Sequence, residues 1–213
     1  MTIEYSDTDK KEFSIDSFAI AKYPITNGQY QVFAKSGKGY VNLEWWDYSD
    51  EAKRWNVENP KPESRRNTDS DLPRTLVTWY ESIAFCRWLS AHLNAKILLP
   101  TEQQWQRAAQ GDDGRVYPWG NTFDKSRCNT EESGIGKPTP VTQYHNGASP
   151  YGVFDMSGNV WEWCLTTWDE DRIDLSGNET RVLRGGAFNY YENGASSWHR
   201  NFDLASYGRD HYY

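Results

Sequence analysis

The chain has 213 residues, enough for one ordinary domain that buries its own core without disulfide or metal staples. Its 11 Trp, 14 Tyr and 8 Phe exclude a disordered chain, and the absence of an Ala/Leu/Glu/Lys bias excludes a coiled coil. A net charge of -7 without a basic run excludes a nucleic-acid surface, and no stretch of 18 apolar residues offers a membrane span.

The first thirteen residues are polar and acidic and lack an apolar h-region, so no signal peptide is expected. Residues 13–20 alternate apolar and polar side chains, which predicts a strand. Thr26 or Asn27 can then cap a helix that carries Tyr30 and Phe33 on one face. Trp45, Trp46, Tyr48 and Trp55 follow in a polar insertion; they suit a cover for the core and an extended binding surface equally. Residues 78–92 form the clearest amphipathic helix, with Ile83, Phe85, Cys86, Trp88 and Leu89. Thr101 and Gln104 make a capping box for another helix carrying Trp105, Ala108 and Ala109. Glu102 is its first-turn acid, favourable for the helix dipole. Residues 111–158 read as turns, and short strands are expected over 160–164 and 181–186. The picture is one α+β domain over residues 1–213, with about two helices on a small antiparallel sheet and much irregular loop.

Three cysteines, Cys86, Cys128 and Cys164, show neither a CxxC nor zinc-ligand spacing with histidine. They read as reduced structural thiols; a redox or copper site is the other reading.

Five motifs occur in order: 23–30 (YPITNGQY), 98–105 (LLPTEQQW), 117–121 (YPWGN), 152–163 (GVFDMSGNVWEW) and 184–188 (RGGAF). Over nearly the whole chain they resemble the formylglycine-generating-enzyme/sulfatase-modifying domain. The resemblance implies a C-type-lectin-like fold. It also implies that oxidase members bind copper with two cysteines after the stretch matching Arg184, Gly185 and Gly186. This chain has no cysteine after Cys164, and soft Cu(I) wants thiolates. No copper and no oxidase activity are therefore expected. The sulfoxide-synthase relatives need an iron-binding histidine set; His92, His145, His199 and His211 show no HxxxH spacing. The chain is read as a non-enzyme that requires no cofactor.

A non-catalytic branch of the family, the variable proteins of diversity-generating retroelements, carries a diversified C-terminal segment that begins near RGG. Adenine mutagenesis of Asn codons cannot yield Lys, Glu, Gln, Met or Trp. None of these five occurs in residues 201–213, and a stretch of average composition avoids them about one time in twenty. The segment 185–213 is also rich in Tyr, Ser, Gly and Asn, as paratopes are. The expected ligand-binding positions are Tyr190, Tyr191, Gly194, Ser196, His199, Phe202, Asp203, Leu204, Tyr207, Gly208, Asp210, His211 and Tyr212. Phe188 and Trp198 are expected in the core. The expected partner is a macromolecular ligand, a protein, with no nucleic acid and no membrane span, and display on a virus particle or cell surface through other proteins. The alternative is a catalytically dead interaction module with a fixed surface; an oxidase with an unrecognised site ranks third. The family's usual closing Gly-Phe-Arg strand has no counterpart up to Tyr213.

The resemblance further implies a calcium site from the Asp155 and Glu162 side chains with the Gly158 and Val160 carbonyls. By themselves these residues also read as a turn cap at Asp155 and an arginine partner at Glu162. Arg184 reads as structural, tied to an acidic or carbonyl group.

Overall fold

In a computed structural model, residues 2–4, 10–63, 69–169 and 171–208 are described. The chain order is β1 (Thr2–Glu4), β2 (Lys10–Glu12), α1 (Asn27–Lys35), α2 (Asp50–Glu58), α3 (Trp79–Leu93), α4 (Glu102–Gln110), β3 (Glu162–Thr167), β4 (Thr180–Arg184) and β5 (Asn201–Leu204). Threonines start three of the helices. Thr26, Thr78 and Thr101 each accept from the backbone N–H three residues on, and Gln29, Glu81 and Gln104 return the bond. Each box satisfies two otherwise orphaned donors.

The mixed α+β class stands, with four α-helices instead of about two. The unexpected one, α2, is capped by Ser49 and buries only Ala52 and Asn56, too little for a periodic signal. The strand expected over 13–20 does not form. Alternation sets which side chains face inward, but a strand also needs an edge to pair with, and this segment has none in a ladder. Antiparallel pairing instead joins β1 to β2.

The main sheet is antiparallel in the order β3-β4-β5. Glu162 lies opposite Arg184 and Trp163 opposite Leu183, while Val182 pairs with Phe202 and Arg181 with Asp203. Between 111 and 158 the chain makes turns, single 3-10 turns and isolated bridges, Tyr117 with Gly120 and Asn129 with Gly158.

Aromatic rings supply the core. Phe33 lies 5.4–5.8 Å from the rings of Tyr30, Tyr40, Phe85 and Trp88. The indoles of Trp79 and Trp163 cross-link α3 to the sheet, donating to the Cys164 and Val77 carbonyls at 3.0 Å each. Trp45 and Trp46 are buried, and Tyr48 and Trp55 pack against the same cluster, so the insertion covers the core. A second cluster gathers Trp105, Ala108, Ala109, Val153, Met156, Cys164 and Val182 between α4 and the sheet. Trp198, expected in the core, is 37% exposed, and Phe188 is half-buried. The turn at 196–199 directs the Trp198 side chain outward.

Candidate binding surface and carboxylate pair

β4 is followed by two glycines with left-handed backbone, Gly185 at φ 95 and Gly186 at φ 79. A Cβ on Gly186 would stand 2.6 Å from the Gly194 carbonyl oxygen, so only glycine lets these strands of backbone meet. Gly158 is equally confined, 2.3 Å from the Asn129 oxygen by the same measure. Its N–H donates to Gly185 at 2.7 Å, and the Asn159 N–H donates to Asn129 at 2.7 Å. Four separate pieces of chain thereby lock together under the segment that follows RGG.

Two arginines hold that segment down. Arg184 is fully buried. It donates to the His199 carbonyl at 2.6 Å, the Ser197 carbonyl at 2.8 Å and Gln106 Oε1 at 2.6 Å. Its Nε lies 3.6 Å from Glu102 Oε1. The structural reading of Arg184 is thus met by carbonyl and acidic partners together. Arg200 forks onto the same carboxylate, Nε to Oε1 at 2.6 Å and Nη2 to Oε2 at 2.7 Å. It also reaches Asp171 at 3.2 Å and lies over Trp168, 4.5 Å from the ring centroid. Glu102 therefore serves as the buried hub for both arginines, beyond its place in the helix dipole. Bidentate, charge-assisted pairs of this kind fix geometry as well as energy.

The expected binding positions divide by environment. Tyr191 is 69% exposed, Phe202 47% and Tyr207 50%. Phe202 projects from β5 and rests on Trp168, with ring centroids 4.7 Å apart. Asp203 and Leu204 are half-buried on β5. Tyr190 and His199 are half-buried against Trp161, at 5.1 and 5.8 Å. Burial first, and Arg184 second, hold the His199 pKa below its ordinary value. Gly194 and Ser196 are buried, which corrects their placement on a surface. The carbonyl of Gly194 faces Gly186, and the Ser196 hydroxyl donates to Asn193 at 3.2 Å. Gly208 is confined too: a Cβ there would stand 3.1 Å from the Val77 carbonyl carbon. Asp210, His211 and Tyr212 lie outside the described residues.

Asp155 and Glu162 meet in a different way. Asp155, Gly158 and Asn159 all have left-handed φ, at 57, 78 and 67. This folds the turn back on itself and brings Asp155 within electrostatic reach of Glu162. Asn159 donates to Asp155 Oδ2 at 2.9 Å, and the Trp105 indole donates to Glu162 Oε2 at 2.6 Å. No arginine pairs with Glu162 among the described residues, which removes that reading. Burial pushes Asp155 up to about 7 and Glu162 up to about 8, with the neighbouring Asp155 charge adding to the latter. The two buried carboxylates stand beside the Gly158 and Val160 backbone, where the Gly158 carbonyl accepts the Val160 N–H at 3.0 Å.

The three cysteines are free and buried, and burial pushes Cys86 and Cys128 up to about 12. Among the described residues no helix is long and apolar enough to cross a membrane, and no three His, Cys, Asp or Glu side chains gather into a metal cluster. Sequence reasoning missed Arg200, whose partner Glu102 stands 98 residues away. It also missed a cavity of about 560 Å³ beside Tyr207.

Residues 2–212 match the sulfatase-modifying factor enzyme 1-like domain. The chain is 30% identical over 213 residues to an inactive C-alpha-formylglycine-generating enzyme 2 of Mus musculus, covering 84% of this chain and 66% of that protein. It is also 30% identical over 231 residues to a formylglycine-generating enzyme of Thermomonospora curvata, covering 84% and 73%. Its fold matches that of Treponema denticola variable protein 1 with a TM-score of 0.65 at 19% identity, over 89% of this chain and 80% of that one. Both the YPWGN turn and the long WEW segment that carried the resemblance lie in the matched region. The chain belongs to the sulfatase-modifying factor enzyme 1-like domain family, built on a C-type-lectin-like α+β fold.

Proposed function

We propose that this chain is a ligand-binding member of its family, presenting a diversified C-terminal surface to a protein partner and carrying out no copper-dependent oxidation. The observation that carries this reading is the division of labour after RGG. Arg184, Arg200, Gly186 and Gly194 fix the backbone from below, while Tyr191, Trp198, Phe202 and Tyr207 stand outward. Large amphipathic rings on a preorganised frame lose little entropy on binding. The absence of any cysteine after Cys164 leaves no thiolate pair where the family's oxidases keep theirs. The Asp155 and Glu162 side chains with the Gly158 and Val160 carbonyls would hold calcium, which would neutralise the carboxylate pair beneath this frame. The partner is a protein; display on a particle or cell surface goes through other proteins.

Sequencing the 3′ end of the gene across a natural population tests the reading. Substitutions should concentrate in the codons of 191, 202 and 207 and spare Gly186, Arg184 and Arg200. A near-copy of that region, differing at adenines, should lie beside a reverse-transcriptase gene. An invariant 3′ end would sink diversification and leave a fixed interaction module. The tight packing of Gly194, Ser196 and Gly208 favours that second reading, because it narrows the set of positions free to vary.

A further inference from the structure

β5 is the outer strand of the β3-β4-β5 sheet among the described residues. An outer strand ordinarily presents a row of open N–H and C=O groups, on which any extended chain can pair. In an antiparallel ladder, alternate residues turn both of these groups toward the same neighbour. The Ala205 N–H donates to the Glu179 carbonyl at 3.3 Å, one step along the register that sets Leu204 opposite Thr180. Asn201, Asp203 and Ala205 therefore face β4, while Phe202 and Leu204 turn their backbone groups outward.

Those outward groups are already engaged. The Phe202 N–H donates to Asn201 Oδ1 at 2.9 Å, and the Leu204 N–H donates to Asp203 Oδ1 at 2.8 Å. The Leu204 carbonyl accepts the Tyr207 N–H at 2.9 Å, where the chain turns away from the sheet. Three of the four outward groups of Phe202 and Leu204 are thus taken by the chain's own atoms, and both donors are among them. Asn and Asp side chains are short enough to compete with ladder bonds for the backbone in this local way. Spaced two residues apart on β5, they meet successive outward donors of the one strand.

We propose that Asn201 and Asp203 close the edge of β5 to strand addition, so that neither a second copy of this chain nor an extended peptide pairs with it and a partner meets this face through side chains. Backbone pairing is nearly indifferent to sequence, whereas side-chain contacts discriminate. Phe202, 47% exposed on the same strand, can then offer its ring while its backbone captures no unrelated chain. Asp203, expected among the contact positions, thereby also serves its own strand. The inference concerns the sheet edge alone and holds for a fixed surface as well as for a diversified one.

Amide hydrogen exchange and sedimentation velocity of the full chain test it. Asn201→Ala should speed exchange at the Phe202 amide by roughly fivefold, the loss of about one hydrogen bond, and leave Leu204 unchanged. Asp203→Ala should do the reverse. Asn201→Asp and Asp203→Asn each keep an acceptor oxygen and should exchange as the parent does. Asn201→Val combined with Asp203→Val removes both caps and favours strand. This double variant should self-associate at least about tenfold more tightly than the parent, with the Phe202 and Leu204 amides protected in the associated form. If it does not fold, Asn201→Ala combined with Asp203→Ala carries the same test. Unchanged exchange in the Ala variants, association no tighter than the parent's, or association that leaves both amides unprotected would each overturn the proposal. None of these readouts involves the gene's 3′ end, so failure here and failure of diversification are told apart.

Discussion

Arg200→Ala separates a frame residue from a displayed one. The fork from Arg200 to Glu102 places two hydrogen bonds of 2.6 and 2.7 Å on a fully buried carboxylate. Removing one partner of a buried ion pair costs about 3–5 kcal/mol, because the other charge stays behind unpaired. Here Arg184 remains 3.6 Å from Glu102 and compensates in part, which argues for the lower end of that range. Loss of the guanidinium over Trp168 adds about 0.5–1 kcal/mol. We expect a net loss of about 3–4 kcal/mol, against a total stability of about 5–15 kcal/mol for a typical domain. At about 2–4 °C per kcal/mol for a chain of this size, Tm should fall by roughly 10 °C. Urea denaturation followed by circular dichroism would read the change as a lower midpoint at constant slope. Arg200→Lys should fall between the two, since it keeps the charge and loses the fork. By contrast, Tyr191→Ala should shift stability by less than about 0.5 kcal/mol, as exposed positions do. An Arg200→Ala variant within about 1 kcal/mol of the parent would refute the view that Arg200 anchors the segment.

The remaining expectations concern the core, the carboxylates and copper. Trp161 is fully buried, so Trp161→Ala should lose about 3–5 kcal/mol, and a loss under 1 kcal/mol would remove it from the load of the core. Asp155 and Glu162 hold their protons more tightly folded than unfolded, so in calcium-free buffer their contribution is full below about pH 4 and falls as pH rises toward about 8. Calcium should reverse this loss and raise Tm, as any ligand of the native state does; a Tm indifferent to EDTA and calcium at pH 8 would leave the pair as ordinary structural carboxylates. With Cu(I), a thiol peptide and an oxygen electrode, no turnover should occur, and stoichiometric copper binding with oxygen uptake would overturn the non-oxidase reading.

Local chemistry was legible in the sequence wherever partners lie close along the chain. The capping box at Thr101 spans three residues, so it could be read directly, whereas the boxes at Thr26 and Thr78 emerge only in the structure; the sequence leaves the first cap between Thr26 and Asn27 and places the second helix by its amphipathic spacing. The strands near 162 and 181 and the long run of turns over 111–158 could be read from β-branched residues and glycine for the same reason. The family itself followed from five ordered motifs, and the absence of late cysteines is a property of composition. Pairing over long distances was not legible. The alternation at 13–20 could not reveal that no sheet edge awaits it, and β5 emerged inside a segment read as surface because β4 supplies its partner. Glycine at 194 and 208 looks like loop material in one dimension; only in three does each prove to be wedged against another backbone or ring. Asp155 and Glu162 could be named from their motif, but their shared burial without a cation arises from a turn with three left-handed residues. Tertiary structure likewise decided that Glu102, read as a helix-dipole acid, is the point on which Arg184 and Arg200 converge. Charges 98 residues apart meet because folding removes both from water, and a buried charge must find a partner or lose its ionisation.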